Sequence, residues 1–180
     1  SFTPAMQSHQ DVIPMTKSAK VKNPWPGLQL KAKYGDFEAV TTVIYNENMS
    51  AGLDPGYDLG LMSTGPEVEI YTTLAESDNG VDFARQALPF KENDGYIVPI
   101  GLNSGSGGEI TFSAYSVPMK GCKFWLEDRA RHIFTDLNVQ DYTIILPPNT
   151  KGTGRFFIHA LPGLRRLARP RTDGINNLAN

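Results

Sequence analysis

Leu28-Gln29-Leu30-Lys31-Ala32-Lys33-Tyr34 and Glu109-Ile110-Thr111-Phe112-Ser113-Ala114-Tyr115 are the stretches that decide the fold class. In each, an apolar residue stands at every other position. An extended chain with that pattern buries one face and wets the other. No segment keeps a helical period over three turns, and no crossover helices are at hand for a parallel βαβ fold.

Working outward, the same reading extends along the chain. Phe37 to Tyr45 (FEAVTTVIY) is rich in β-branched and aromatic residues, as strands are. Further strands are expected at Val68 to Leu74, Val81 to Leu88, Tyr96 to Ile100, Lys123 to Glu127, Tyr142 to Leu146 and Gly154 to Ala160. Tyr57 to Met62 and Arg131 to Thr135 read as short extended pieces. Ser77-Asp78-Asn79-Gly80 carries the Asn-Gly signal of a tight hairpin. The run Gly101 to Gly108 reads as a flexible hairpin connection. It lacks the Gly-Lys-Ser/Thr ending of a phosphate loop, and no helix follows it. Strands at spacings of roughly 8–12 residues point to an all-β fold. The expectation is an antiparallel two-sheet sandwich, jelly-roll-like, of about eight to ten strands.

The 180 residues suit one domain with tails. The boundaries are drawn at 1–27 for an extended N-terminal segment packing on the sandwich, 28–160 for the sandwich, and 161–180 for a basic C-terminal linker. The first segment ends in Asn23-Pro24-Trp25-Pro26-Gly27, where prolines flanking Trp25 favour an extended anchor over a helix. The linker carries Arg165, Arg166, Arg169 and Arg171. The formal charge of −2 offers no field for nucleic acid. No apolar run approaches the ~20 residues of a membrane span, so no membrane insertion is expected. The first residues lack the charged start and apolar stretch of a signal peptide, which suits a processed product or an excised fragment.

Candidates for chemistry are sparse. The single cysteine, Cys122, cannot form an internal disulfide and reads as a small hydrophobe at a strand start. His9, His132 and His159 are far apart, without a partner at ligand spacing. No Gly-x-Ser-x-Gly elbow exists, and nothing singles out a carboxylate pair for glycoside hydrolysis. Two acidic loops remain, one with Glu47, Asp54 and Asp58, the other with Asp78 and Asp82. Loop oxygens of this kind suit calcium, and Asp54 and Asp58 are the metal candidates. Asp-Pro-Gly and Asp-Asn-Gly are also ordinary turn formers, so no cofactor is the primary expectation. Glu127 and Asp128 close one strand and Arg155 opens the last. A partly buried arginine needs a carboxylate, and its planar fork suits one. Arg155 is therefore expected to pair with Asp128 or Glu127.

A succession of short islands gives a further lead. They are Leu53-Asp54-Pro55-Gly56-Tyr57-Asp58-Leu59-Gly60-Leu61, Glu69-Ile70-Tyr71-Thr72, Phe83-Ala84-Arg85-Gln86-Ala87-Leu88-Pro89 and Ile97-Val98-Pro99-Ile100-Gly101-Leu102. They continue through Gly108 to Ser113, Phe124 to Asp128, Phe134 to Leu137, Asp141 to Ile144 and Arg155 to His159. In order and spacing, over residues 37 to 160, the chain resembles the β-sandwich module that precedes the C-terminal sorting domain in surface proteins of Bacteroidetes exported by the type IX secretion system. Arg85 and Gln86 depart from the family's more apolar pair, and no sorting domain is evident.

The resemblance implies a jelly-roll-like sandwich, export, and a secreted or cell-surface location. It carries no catalytic residues. The expected role is a non-catalytic module for adhesion or structure. Its expected partners are other domains of its parent protein and outer-membrane proteins of the secretion system. A carbohydrate-binding module is the alternative, with Tyr45, Tyr57 or Trp125 stacking on glycans through their apolar faces; the same rings read equally as core. A third reading is a secretion cargo fragment that touches the outer-membrane machinery through its C-terminal segment.

Overall fold

A computed structural model describes residues 25–63, 67–76, 80–89, 95–117 and 122–162. Among them eleven strands and no helix are found. They are β1 (Gly27–Tyr34), β2 (Phe37–Tyr45), β3 (Leu59–Gly60), β4 (Val68–Thr72), β5 (Phe83–Leu88) and β6 (Tyr96–Ser104). Then follow β7 (Gly108–Val117), β8 (Cys122–Asp128), β9 (Ile133–Asp136), β10 (Tyr142–Leu146) and β11 (Phe156–Pro162). All belong to one mixed sheet in the order β10-β7-β1-β2-β5-β4-β6-β11-β8-β9, with β3 beside β5, and the sheet is nearly closed into a barrel.

The alternating stretches behave as their period dictates. Leu28, Leu30 and Ala32 of β1 point inward, as do Ile110 and Phe112 of β7. They meet Val98, Ile100 and Leu102 of β6, Phe124 and Leu126 of β8, and Phe156 and Ile158 of β11. Phe112 touches Phe156, with ring centroids 4.9 Å apart, and so joins strands from distant parts of the sheet order. Such burial is the main source of stability in a fold of this kind.

The structure corrects four expectations. The sheet is not wholly antiparallel: β2 and β5 run parallel, Thr42 to Tyr45 against Arg85 to Leu88. The long connection between them supplies the crossover that a parallel pair needs. Eleven strands replace the expected eight to ten, because the short pieces near residues 59 and 133 also pair. The turn at 77–80 does not close a regular hairpin, since β4 and β5 meet at one pair, Thr72 with Phe83. Residues 77–79 themselves lie outside the described residues.

The fourth correction concerns the glycine-rich run. Gly101 to Ser104 belong to β6, which pairs with β4 and β11, while β7 pairs with β1 and β10. Gly105 to Gly107 therefore form a corner between separate parts of the sheet and not a hairpin. Gly107 shows why glycine stands there: its φ is 66°, and a Cβ would lie 2.5 Å from the Pro148 nitrogen.

Of the boundaries drawn from sequence, 1–24 and 163–180 fall outside the described residues. The strands begin at Gly27 and end at Pro162.

Candidate functional site

The loop after β2 presents the first cluster. Asp54 accepts hydrogen bonds from the Ser50 amide (2.7 Å) and the Ser50 hydroxyl (3.1 Å). Asp58 accepts one from the Asp54 amide (2.7 Å) and another from the Ala87 amide on β5 (2.7 Å). Every carboxylate oxygen of the two calcium candidates thus holds a group of the protein itself, three from the loop and one from β5. Short acidic side chains that bond nearby amides are typical turn staples.

These bonds fix Tyr57, whose carbonyl also accepts from Arg85 Nε (2.9 Å). Tyr57 stacks on Trp25, with centroids 5.4 Å apart and planes at 16°. Trp25, expected to anchor the N-terminal segment across a sheet, stacks on this loop instead, and residues 1–24 of that segment lie outside the described residues. Tyr57 stays 45% exposed, with Leu53 of the same loop and Leu59 of β3 exposed beside it in sequence. Glu47 and Asp82 are also exposed, and Asp78 lies outside the described residues. Among the described residues no group of three or more His, Cys, Asp or Glu is placed to hold a metal ion.

Asp58→Ala is expected to leave two amides short of a partner and to lower stability by about 1–3 kcal/mol. Urea denaturation measures the loss. Near-ultraviolet dichroism should weaken with it, because the Trp25–Tyr57 stack rests on this loop.

The second cluster brings Asp128 and Arg155 together. Arg155 donates from Nε (3.0 Å) and Nη2 (2.9 Å) to the two oxygens of Asp128, a bidentate pair. Asp128 is 1% exposed, and it also accepts from the Tyr142 hydroxyl (2.8 Å) and the Ala130 amide (3.1 Å). Burial alone would raise the Asp128 carboxyl, but the bonds from Arg155 and Tyr142 outweigh it and hold it below the usual range. Burial, and then Asp128 beside it, push the Tyr142 phenol up, so it remains a donor. Tyr142 sits on β10 and Asp128 on β8, near opposite ends of the sheet order. A single carboxylate therefore bridges the seam where the backbone ladder is missing.

A third cluster covers the outer face of β8, β9 and β11. His159 Nε2 lies 2.7 Å from Glu127 Oε2, and Arg129 Nε lies 3.3 Å from the same oxygen. Glu127 is thus held by His159 and Arg129, while Arg155 takes Asp128. The edge of Phe134 meets the His159 ring at 5.3 Å, and the Arg129 guanidinium lies 3.4 Å over Phe157. His159 is 8% exposed although it points away from the core.

The remaining sequence candidates scatter. Tyr45 is buried in the core at 3% exposure and cannot serve a glycan platform. Trp125 is half-buried on the outer face, where it pairs across to His159 and Asp136. His132 sits exposed in a turn with φ 56°, and His9 lies outside the described residues. Cys122 begins β8. Sequence reasoning did not find Tyr142 or the His159–Glu127 pair. Only the inward parity of Tyr142 on β10 hinted at the former. Compared with protein-family models, curated proteins and solved structures, the chain finds no match.

Proposed function

We propose that this chain is a non-catalytic module of a larger exported protein, with a structural or adhesive role at the cell surface. The observation that carries the reading is the employment of its polar groups. Asp54, Asp58, Glu127 and Asp128 direct their carboxylates at the protein's own amides, hydroxyls, guanidinium groups or imidazole, and His159 faces Glu127. Groups committed in this way hold a scaffold. A catalytic acid or base needs a proton-transfer partner within reach instead.

A two-layer body suits that role. In this reading β10-β7-β1-β2-β5 faces β4-β6-β11-β8-β9 as a sandwich, and among the described residues the backbone ladder passes between β5 and β4 at the Thr72–Phe83 pair. The resemblance to modules exported by the type IX secretion system supports the location. Antibody against the module is expected to label intact cells that make the parent protein, and labelling that needs permeabilisation counts against export. A panel of polysaccharides, glycosides, esters and peptides is expected to show no turnover. Turnover lost on one carboxylate substitution overturns the non-catalytic reading.

The second reading, a glycan-binding module, is favoured by the Trp25–Tyr57 stack, in which Tyr57 is exposed and Trp25 half-buried. Sugars pack their apolar C–H faces on such rings. Saturable binding to a glycan array that Tyr57→Ala abolishes, while leaving the melting temperature within a few degrees, selects this reading.

A further inference from the structure

β7, β1, β2 and β5 lie side by side, and their register draws one row across them. Tyr115 faces Gln29, Gln29 faces Thr42, and Thr42 faces Arg85. The row lies on the outside of the sheet, because Leu28, Leu30, Val43 and Gln86, its neighbours along the chain, are buried. Tyr115 is 69% exposed, and Gln29 is exposed beside it. From Tyr115 to Arg85 the row crosses three strand spacings, about 14 Å.

The far end of the row meets the Trp25–Tyr57 stack, since Arg85 Nε donates to the Tyr57 carbonyl (2.9 Å). An exposed aromatic ring therefore stands at each end. The polar groups between the rings are unemployed, unlike those of the acidic loop and the seam. The Gln29 amide, the Thr42 hydroxyl and the two Nη groups of Arg85 hold no partner among the described residues. Rings that accept apolar C–H faces, with amide, hydroxyl and guanidinium groups between them, match the surface of a saccharide chain.

Charge narrows the class. The row contains no carboxylate, and no carboxylate pairs with Arg85 among the described residues. The described residues carry eight Lys and Arg against fourteen Asp and Glu, eight minus fourteen giving −6. A surface of that sign repels a polyanion. We infer that Tyr57, Arg85, Thr42, Gln29 and Tyr115 form a track for a linear neutral polysaccharide, whose sugars stack on the two tyrosines and hydrogen-bond to the groups between. The inference rests on the glycan-binding reading and deepens it. The ligand is a chain and not a single sugar, because Tyr57 and Tyr115 stand farther apart than one sugar ring reaches.

Titration calorimetry on the full chain tests the track. The probes are fragments of cellulose, xylan, mannan, laminarin and amylose, each as disaccharide and hexasaccharide, with polygalacturonate as the acidic comparison. At least one neutral hexasaccharide is expected to bind saturably, more tightly than its disaccharide, and equally well in ~1 M salt. Tyr115→Ala should weaken that hexasaccharide roughly tenfold and leave the melting temperature unchanged. Gln29→Ala, a second variant in case the first folds poorly, should weaken it as well. Ile145→Ala, on the same side of the sheet but off the row, should change nothing. Binding that Tyr57→Ala abolishes but Tyr115→Ala and Gln29→Ala leave intact overturns the track and keeps the glycan-binding reading. Binding confined to polygalacturonate and lost in ~1 M salt overturns the neutral chain. No saturable binding to any probe overturns both the track and the glycan-binding reading.

Discussion

Asp128→Ala is expected to lower stability by about 3–5 kcal/mol, the range for breaking a buried ion pair from one side. The change removes four acceptor contacts at once, to Arg155 Nε and Nη2, the Tyr142 hydroxyl and the Ala130 amide. Arg155 then keeps its charge in a partly buried site, and the seam between β8 and β10 loses its polar tie. For a chain of this size the melting temperature should fall by roughly 6–20 °C. Arg155→Ala should cost less, since its side chain is 29% exposed and Tyr142 still bonds Asp128. The double variant should cost less than the sum of the two, and a thermodynamic cycle reads that coupling. Additive losses would show that the two residues act separately.

The same network sets an acid limit. The folded Asp128 carboxyl is held below its ordinary value of 3.8. A depressed folded pKa gives stability that is fully present above the unfolded value. That stability is lost as pH falls through about 4 towards the folded value. The wild-type chain should thus lose stability in this window, and Asp128→Ala should lose less of it there. Calorimetry at pH 7 and pH 3 compares the two proteins, and equal losses would remove Asp128 from the account.

Gly107→Ala is the other large effect, expected at about 2–5 kcal/mol. An L residue at φ 66° costs about 1–2 kcal/mol. The added Cβ would also meet the Pro148 nitrogen at 2.5 Å and the Leu146 carbonyl oxygen at 2.7 Å. Overpacking of that kind typically costs 1–3 kcal/mol. The obstacle is backbone that belongs to the end of β10 and the turn beyond it, and it has no rotamer by which to step aside. That turn is further fixed by Asn149 N–H donating to the Gly105 carbonyl (3.0 Å). Gly152, with φ 95° and open space around it, is the control. Gly152→Ala carries the conformational cost without the clash, so its effect on the urea midpoint should be clearly smaller. Equal effects at the two sites would show that the close approach is not what matters.

Strands were legible wherever alternation was clean. β1 and β7 place their alternate apolar residues inward as a period of two requires, and β10 does so with Tyr142, Ile144 and Leu146 while Ile145 stays exposed. β3 and β9 read from sequence only as short extended pieces around 57–62 and 131–135, with no strand bounds, because strands of two and four residues hold too little pattern. Gln86 shows another limit. In sequence it interrupts an apolar strand, yet it is fully buried. With its amide oriented so that the nitrogen meets the Thr73 carbonyl and the oxygen meets the Ala75 amide, both at 3.2 Å, its polarity is satisfied. Those partners lie just beyond β4, and no local rule places β4 beside β5.

The sequence by itself determined the all-β class, the inward faces of the long strands and the charges near Asp128 and Arg155, because these follow from period and residue type. Only the tertiary structure decided the parallel β2–β5 pair, the corner at Gly105 to Gly107 and the seam closed by Tyr142. It also decided that Arg155 takes Asp128 while His159 and Arg129 take Glu127. The physical reason is register. A shift of one residue between β8 and β11 exchanges the inward and outward faces. Which carboxylate meets the guanidinium is therefore fixed by the pairing of Phe156 with Asp128 and Phe157 with Glu127, a long-range choice that no short stretch of chain encodes alone.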